Sequence, residues 1–144
     1  MGADATLDPR PGGVCRIAFR PAPAVVDFMA ATFGHDPQQA RERLQAAGAS
    51  SAMLGEFVEV DPPRRVSFTW GWELEPYALP PQSTAVEVSL TPDGEETVLR
   101  LVHRRLPPGL TAFHSAGWDH HLGRLAVVAA GGDPGPDTWQ AGDA

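Results

Sequence analysis

The stretch Val66-Ser67-Phe68-Thr69-Trp70-Gly71-Trp72-Glu73-Leu74 alternates without a break between bulky apolar residues and small or polar ones. Period two marks a strand with one buried face, because successive side chains leave a pleated backbone on opposite sides. Val66, Phe68, Trp70, Trp72 and Leu74 therefore share a face, and it is mostly aromatic. Upstream, Glu56–Val60 is a second apolar, β-branched run. It stops at Asp61-Pro62-Pro63, where the prolines remove donors and force a turn. Downstream, residues 75–83 carry three prolines and read as a long loop. Val86, Val88 and Leu90 then alternate with Ala85, Glu87 and Ser89, and Pro92-Asp93-Gly94 turns the chain into Thr97–Arg105. Consecutive strands with short links make an antiparallel meander.

After the meander the period changes. From Ala112 to about Ala130, Trp118, Leu122, Leu125 and Ala129 recur at helical spacing, with His114 and His121 flanking the stripe. Asp119, His120 and Arg124 lie away from it. Gly131-Gly132 ends this helix, and the acidic Pro/Gly tail that follows is expected to be mobile. A sheet followed by one long helix implies that the helix packs on the sheet's apolar face. In the N-terminal third, Val14–Phe19 reads as a strand. Ala24–Phe33 reads as a short helix with Val25, Phe28, Met29 and Phe33 on one side. Asp36-Pro37-Gln38-Gln39 is a helix start, with Asp36 as N-cap and Pro37 at the first helical position. That helix should reach about Ala47, its weakly apolar face (Ala40, Leu44, Ala47) marking a surface element.

A chain of 144 residues fits one domain with one core. Its single cysteine, Cys15, excludes an internal disulfide, and reads as a small buried hydrophobe. No basic segment followed by an apolar run opens the chain, so no signal peptide is expected. No apolar run approaches the roughly 20 residues of a membrane span. A soluble cytoplasmic protein is expected. Eleven basic residues, all arginine, stand against eighteen acidic ones, for a net charge of −7. The one basic cluster, Arg100, Arg104 and Arg105, is too small to hold a polyanion, so nucleic acid is excluded as a partner.

Three segments, GEFVEVDPPRRVSFTWGWE (Gly55–Glu73), STAVEVSLTPDGEETVLRLVHRRL (Ser83–Leu106) and HSAGWDHHLGRL (His114–Leu125), occur in an order and spacing that resemble a known family. They look like SRPBCC (START-like) proteins of the activator-of-heat-shock-protein-90-ATPase-homologue type. DPRPGG (Asp8–Gly13) is similar to the turn entering that family's second strand. The resemblance implies an α+β helix-grip fold, a curved antiparallel sheet wrapped around a long C-terminal helix, as one domain over residues 1–131 with a flexible tail at 132–144. It also implies an opening strand-helix-helix unit, for which only Met1–Leu7 precede DPRPGG. Residues 20–54 read either as a helical insertion beside a truncated start or, with Val14–Ala47, as the opening unit displaced along the chain. The close DPRPGG match favours truncation. An edge left bare would accept a second copy, giving a homodimer.

The helix-grip resemblance implies a mostly apolar cavity between sheet and helix. The residues expected to face it are Phe68, Trp70 and Trp72 from one strand, Leu99, Leu101 and His103 from another, and Trp118, His121 and Leu122 from the helix. His103 continues the inward parity of Leu99 and Leu101, and an imidazole there serves a ligand, an acid–base step or simply the packing. No carboxylate shares its parity, so no catalytic residue is assigned. His114, His120 and His121 lack the i, i+4 spacing of a zinc-binding helix, so no metal and no cofactor are expected. The expected function is non-catalytic binding of a small, mostly apolar ligand. The alternatives are a protein-interaction or co-chaperone-like module and a cyclase or hydrolase using His103.

Overall fold

The computed structural model describes residues 5–19, 23–32, 34–46, 51–72, 79–80 and 82–137. Six strands and three α-helices follow in the order β1 (Ala5–Leu7), β2 (Val14–Phe19), α1 (Pro23–Thr32), α2 (Pro37–Ala46), β3 (Ser51–Asp61), β4 (Arg65–Trp70), β5 (Thr84–Asp93), β6 (Glu96–Arg104) and α3 (Thr111–Ala129). A 3-10 turn, Pro108–Leu110, leads into α3. The strands form one sheet in sequence order, and every neighbouring pair is antiparallel. With α3 packed against its inner face, this is the α+β helix-grip arrangement.

The register explains the inner face. Phe68 pairs with Val86, which pairs with His103, and Val66 pairs with Val88, which pairs with Leu101. Each such row lies on one side of the sheet, so parity fixed by β4 carries across three strands. The outer side is polar, with Arg104 held to Glu87 at 3.0 Å and Arg65 to Glu59 at 2.8 Å. Between Phe57 and Glu59 the β3–β4 register shifts. This bulge lets both Phe57 and Val60 join the core while Val58, 58 % exposed, faces out. At Gly55 the neighbouring strand comes so close that a Cβ would collide with the Thr69 carbonyl. Only glycine fits there.

The main core joins Cys15, Met53, Phe57, Trp70, Leu79, Val86 and Leu110, with Ile17, Phe68, Trp72, Leu101, Phe113 and Trp118 packed around them. Burial pushes the Cys15 thiol up to about 11. A second, smaller cluster lies between α1 and α2 and consists of Val26, Ala30, Ala40 and Leu44. Asp36 caps α2 as expected, its Oδ1 accepting the Gln39 N–H at 2.9 Å.

Several elements differ from the sequence reading. The strand opened by Val66 ends at Trp70, and Trp72 makes an isolated bridge to Met53. Leu74 and most of the expected loop lie outside the described residues, but Leu79 is fully buried and its carbonyl accepts the Trp72 N–H at 2.7 Å. The strand expected at Glu56 begins at Ser51, inside the segment read as helical. The buried pair of α1 is Val26 and Ala30, while Phe28 stacks on Phe113 of α3 at 5.8 Å. The side chains of Val25, Met29 and Phe33 lie outside the described residues.

The helix α3 departs most. Of its expected apolar stripe Trp118 packs on the core and Leu122 is half-buried, but Leu125 is 48 % exposed and Ala129 is exposed; Phe113 and His114 help seat the first half instead. Past the helix, the Arg124 guanidinium donates to the carbonyls of Pro134, Gly135 and Pro136 at 3.1, 2.8 and 3.3 Å. The chain through Asp137 thus lies along α3, and residues 138–144 lie outside the described residues.

Candidate functional site

The site sits where β4, β5 and β6 face the first half of α3. Trp70 is at its centre, 7 % exposed, with Trp118 at 5.1 Å, His103 at 5.5 Å, Trp72 at 6.0 Å and Phe68 at 6.4 Å between ring centroids. Parity puts the strand residues there, and the i, i+4 spacing of His114 and Trp118 puts both helix residues on the facing side. His103 lies 5.2 Å from His114, ring to ring and nearly perpendicular.

A directed chain of hydrogen bonds runs through His103. The Trp118 indole donates from Nε1 to His103 Nδ1 at 3.1 Å. An indole N–H only donates, so Nδ1 must be the bare nitrogen and Nε2 carries the proton. Nε2 lies 2.8 Å from Thr84 Oγ1, which in turn donates to the Trp70 carbonyl at 2.8 Å. Every link is satisfied with a neutral imidazole. Burial pushes His103 down to about 4, and the nearby His114 adds to the effect. His114 is also held below the usual histidine range by burial, against the opposing pull of the Leu110 carbonyl. Its Nδ1 donates to that carbonyl at 3.0 Å.

Of the residues expected to face the cavity, the structure brings together Phe68, Trp70, Trp72, Leu101, His103 and Trp118. Leu99 lies further along β6 opposite Leu90, and Leu122 is half-buried on α3. His121 points elsewhere, its Nδ1 3.8 Å from Asp137 Oδ2. Sequence reasoning missed His114 and Thr84. The signal for His114 was its spacing from Trp118; for Thr84 it was the parity of Val86 and Val88.

A second polar group forms where the chain after α3 folds back. His120 Nε2 donates to Asp137 Oδ1 at 2.9 Å, and Arg124 Nε lies 3.9 Å from Asp137 Oδ2. His120, His121 and Asp137 offer three ligand atoms within 4.8 Å of one another, a grouping the helical spacing alone did not reveal. The Arg124 guanidinium beside the same carboxylate already supplies it with positive charge, which disfavours adding a cation.

The family model of Activator of Hsp90 ATPase homolog 1-like proteins matches residues 1–130. The chain belongs to this family. As a member of the Hsp90-ATPase-activator-homologue-like family it carries the helix-grip architecture that the sequence resemblance implied. No curated protein sequence matches it at significance. Among solved structures, CalU16 from Micromonospora echinospora is similar at TM-score 0.47 and 21 % identity, over 87 % of this chain and 77 % of that one. No helix among the described residues is long and apolar enough to cross a membrane.

Proposed function

We propose that this family member is a non-catalytic binding domain for a small, mostly apolar molecule held between the inner face of the sheet and α3. The observation that carries the reading is the wall of rings around Trp70. Trp72, Phe68 and Trp118 pack on the core yet stay only half-buried. Ring surface left reachable is what an apolar ligand covers, each square ångström of burial contributing about 25 cal/mol. His103 supports the non-catalytic half of the reading. It is neutral at physiological pH, its one N–H is donated to Thr84 and its one lone pair accepts from Trp118, so neither is free for an acid–base step.

Native mass spectrometry of the chain purified from its own host should detect a retained small molecule. Tryptophan fluorescence should respond to members of a lipid and aromatic panel. A bare apo mass together with a flat fluorescence response would overturn the reading.

A protein-interaction role, in the sense of the family's description, has a separate observation in its favour. Leu125, Val127 and Val128 on the second half of α3 are all more than two-fifths exposed. Under that reading a stoichiometric protein partner is recovered by pull-down and survives His103→Ala.

A further inference from the structure

Buried polar atoms in folded chains are almost always paired, because a donor or acceptor stripped of water and given nothing in return destabilises the fold. One buried atom of Trp70 and one of His114 break this rule. The indole Nε1–H of Trp70 and the Nε2 of His114 are both buried, and neither meets a hydrogen-bonding partner among the described residues. Their residues are 7 % and 5 % exposed. The two rings meet edge to face with centroids 6.4 Å apart. The neighbouring polar groups, His103, Thr84 and Trp118, are paired with one another.

The two orphaned atoms are complementary rather than alike. An indole N–H donates and nothing else. The Nδ1–H of His114 is committed to the Leu110 carbonyl, which leaves Nε2 as a lone-pair acceptor on a neutral ring. A group that satisfies both must accept from one and donate to the other.

We propose that Trp70 Nε1 and His114 Nε2 read the polar end of the ligand, and that this ligand is an apolar molecule carrying a neutral hydroxyl group. The proposal rests on the reading above, that a small molecule enters between sheet and helix. A hydroxyl accepts from Trp70 and donates to His114. A hydrocarbon serves neither atom. A carboxylate accepts from Trp70 but turns its lone pairs against Nε2, and it brings a charge into a site lined by apolar rings.

The test uses two matched pairs, 4-butylphenol against butylbenzene and decanol against decanoate, titrated into the full chain by tryptophan fluorescence and calorimetry. The phenol should bind at least about tenfold more tightly than butylbenzene, the effect of making buried hydrogen bonds that are otherwise unmade. Decanol should bind more tightly than decanoate. In His114→Phe, which keeps a ring and deletes the acceptor, the preference of phenol over butylbenzene should collapse, with a thermal melt verifying the fold. The wild-type comparison decides the matter even where that variant does not fold. Equal affinity for phenol and butylbenzene means that water serves the two atoms, which overturns the hydroxyl assignment and leaves the binding reading standing. Tighter decanoate overturns the neutral class. Binding of none of the four compounds overturns the binding reading and this proposal together.

Discussion

The Trp118 indole donates to His103 across the gap between α3 and β6, at 3.1 Å. That hydrogen bond and the rings of Trp118 and His114 against His103 tie the helix to the strand. Trp118→Phe keeps an aromatic ring but strips His103 Nδ1 of its donor, and should cost about 1–3 kcal/mol. Trp118→Ala also loses the contact with Trp70 and should cost roughly 3–5 kcal/mol. Urea unfolding of the two variants separates the bond from the packing. A loss below about 1 kcal/mol for the alanine variant would mean that the helix does not grip the sheet.

The same histidine makes stability depend on pH. His103 titrates at about 4 in the folded chain, well below its unfolded value, so the unfolded state takes up the proton first. The contribution is complete above the unfolded value, near 6.5, and is lost as pH falls towards about 4. His114 and His121 are displaced in the same direction, which reinforces the slope. Stability should fall by about 2–3 kcal/mol between pH 7 and pH 4.5, read by denaturant midpoints. A flat profile over that window, or one unchanged by His103→Gln, would contradict the assignment.

Gly55→Ala should destabilise by roughly 1–3 kcal/mol, because its Cβ meets the Thr69 carbonyl of the adjacent strand. Thr69 also accepts the Glu56 N–H through Oγ1 at 2.8 Å, so the two strands cannot part there without losing a bond. Thermal melts should record the loss, whereas Gly123→Ala, where nothing lies within 4 Å, should be neutral or stabilising.

Asp36→Ala removes the acceptor for the Gln39 N–H and should cost about 1 kcal/mol. Since α1 and α2 form their own small cluster, the effect should be local. Amide exchange should accelerate in residues 37–46 and leave β4 to β6 nearly unchanged.

Arg124→Ala removes the donor to three successive carbonyls of the chain after α3. Limited proteolysis should then cut near residues 132–137 much faster. The denaturant midpoint should move by about 0.5 kcal/mol or less, the usual range for a surface change.

The meander was legible because period two and proline- or glycine-marked turns are local signals. Phe68 and Trp70 proved inward-facing, and His103 followed from strand parity. What failed was information that sequence spacing does not hold. The β3 bulge resets parity after Phe57, and nothing in FVEV announces it. On α3, Leu125 has the spacing of a core residue, but the sheet does not reach it. The carbonyls gathered by Arg124 are a long-range arrangement of backbone, invisible to any side-chain pattern. His114 flanks the helical stripe and is one turn from Trp118, a spacing that places it beside the aromatic rings.

The uneven seating of α3 has a mechanical consequence. Eleven residues separate Trp118 from Ala129, about 16 Å at the α-helical rise. Trp118 thus acts as the fulcrum of a lever whose long arm carries Leu125, Val127 and Val128 out from the sheet. A tilt of only about 10° there swings the far end by about 3 Å, roughly two residues of helical rise. A change of angle at Trp118 is thus amplified along that arm.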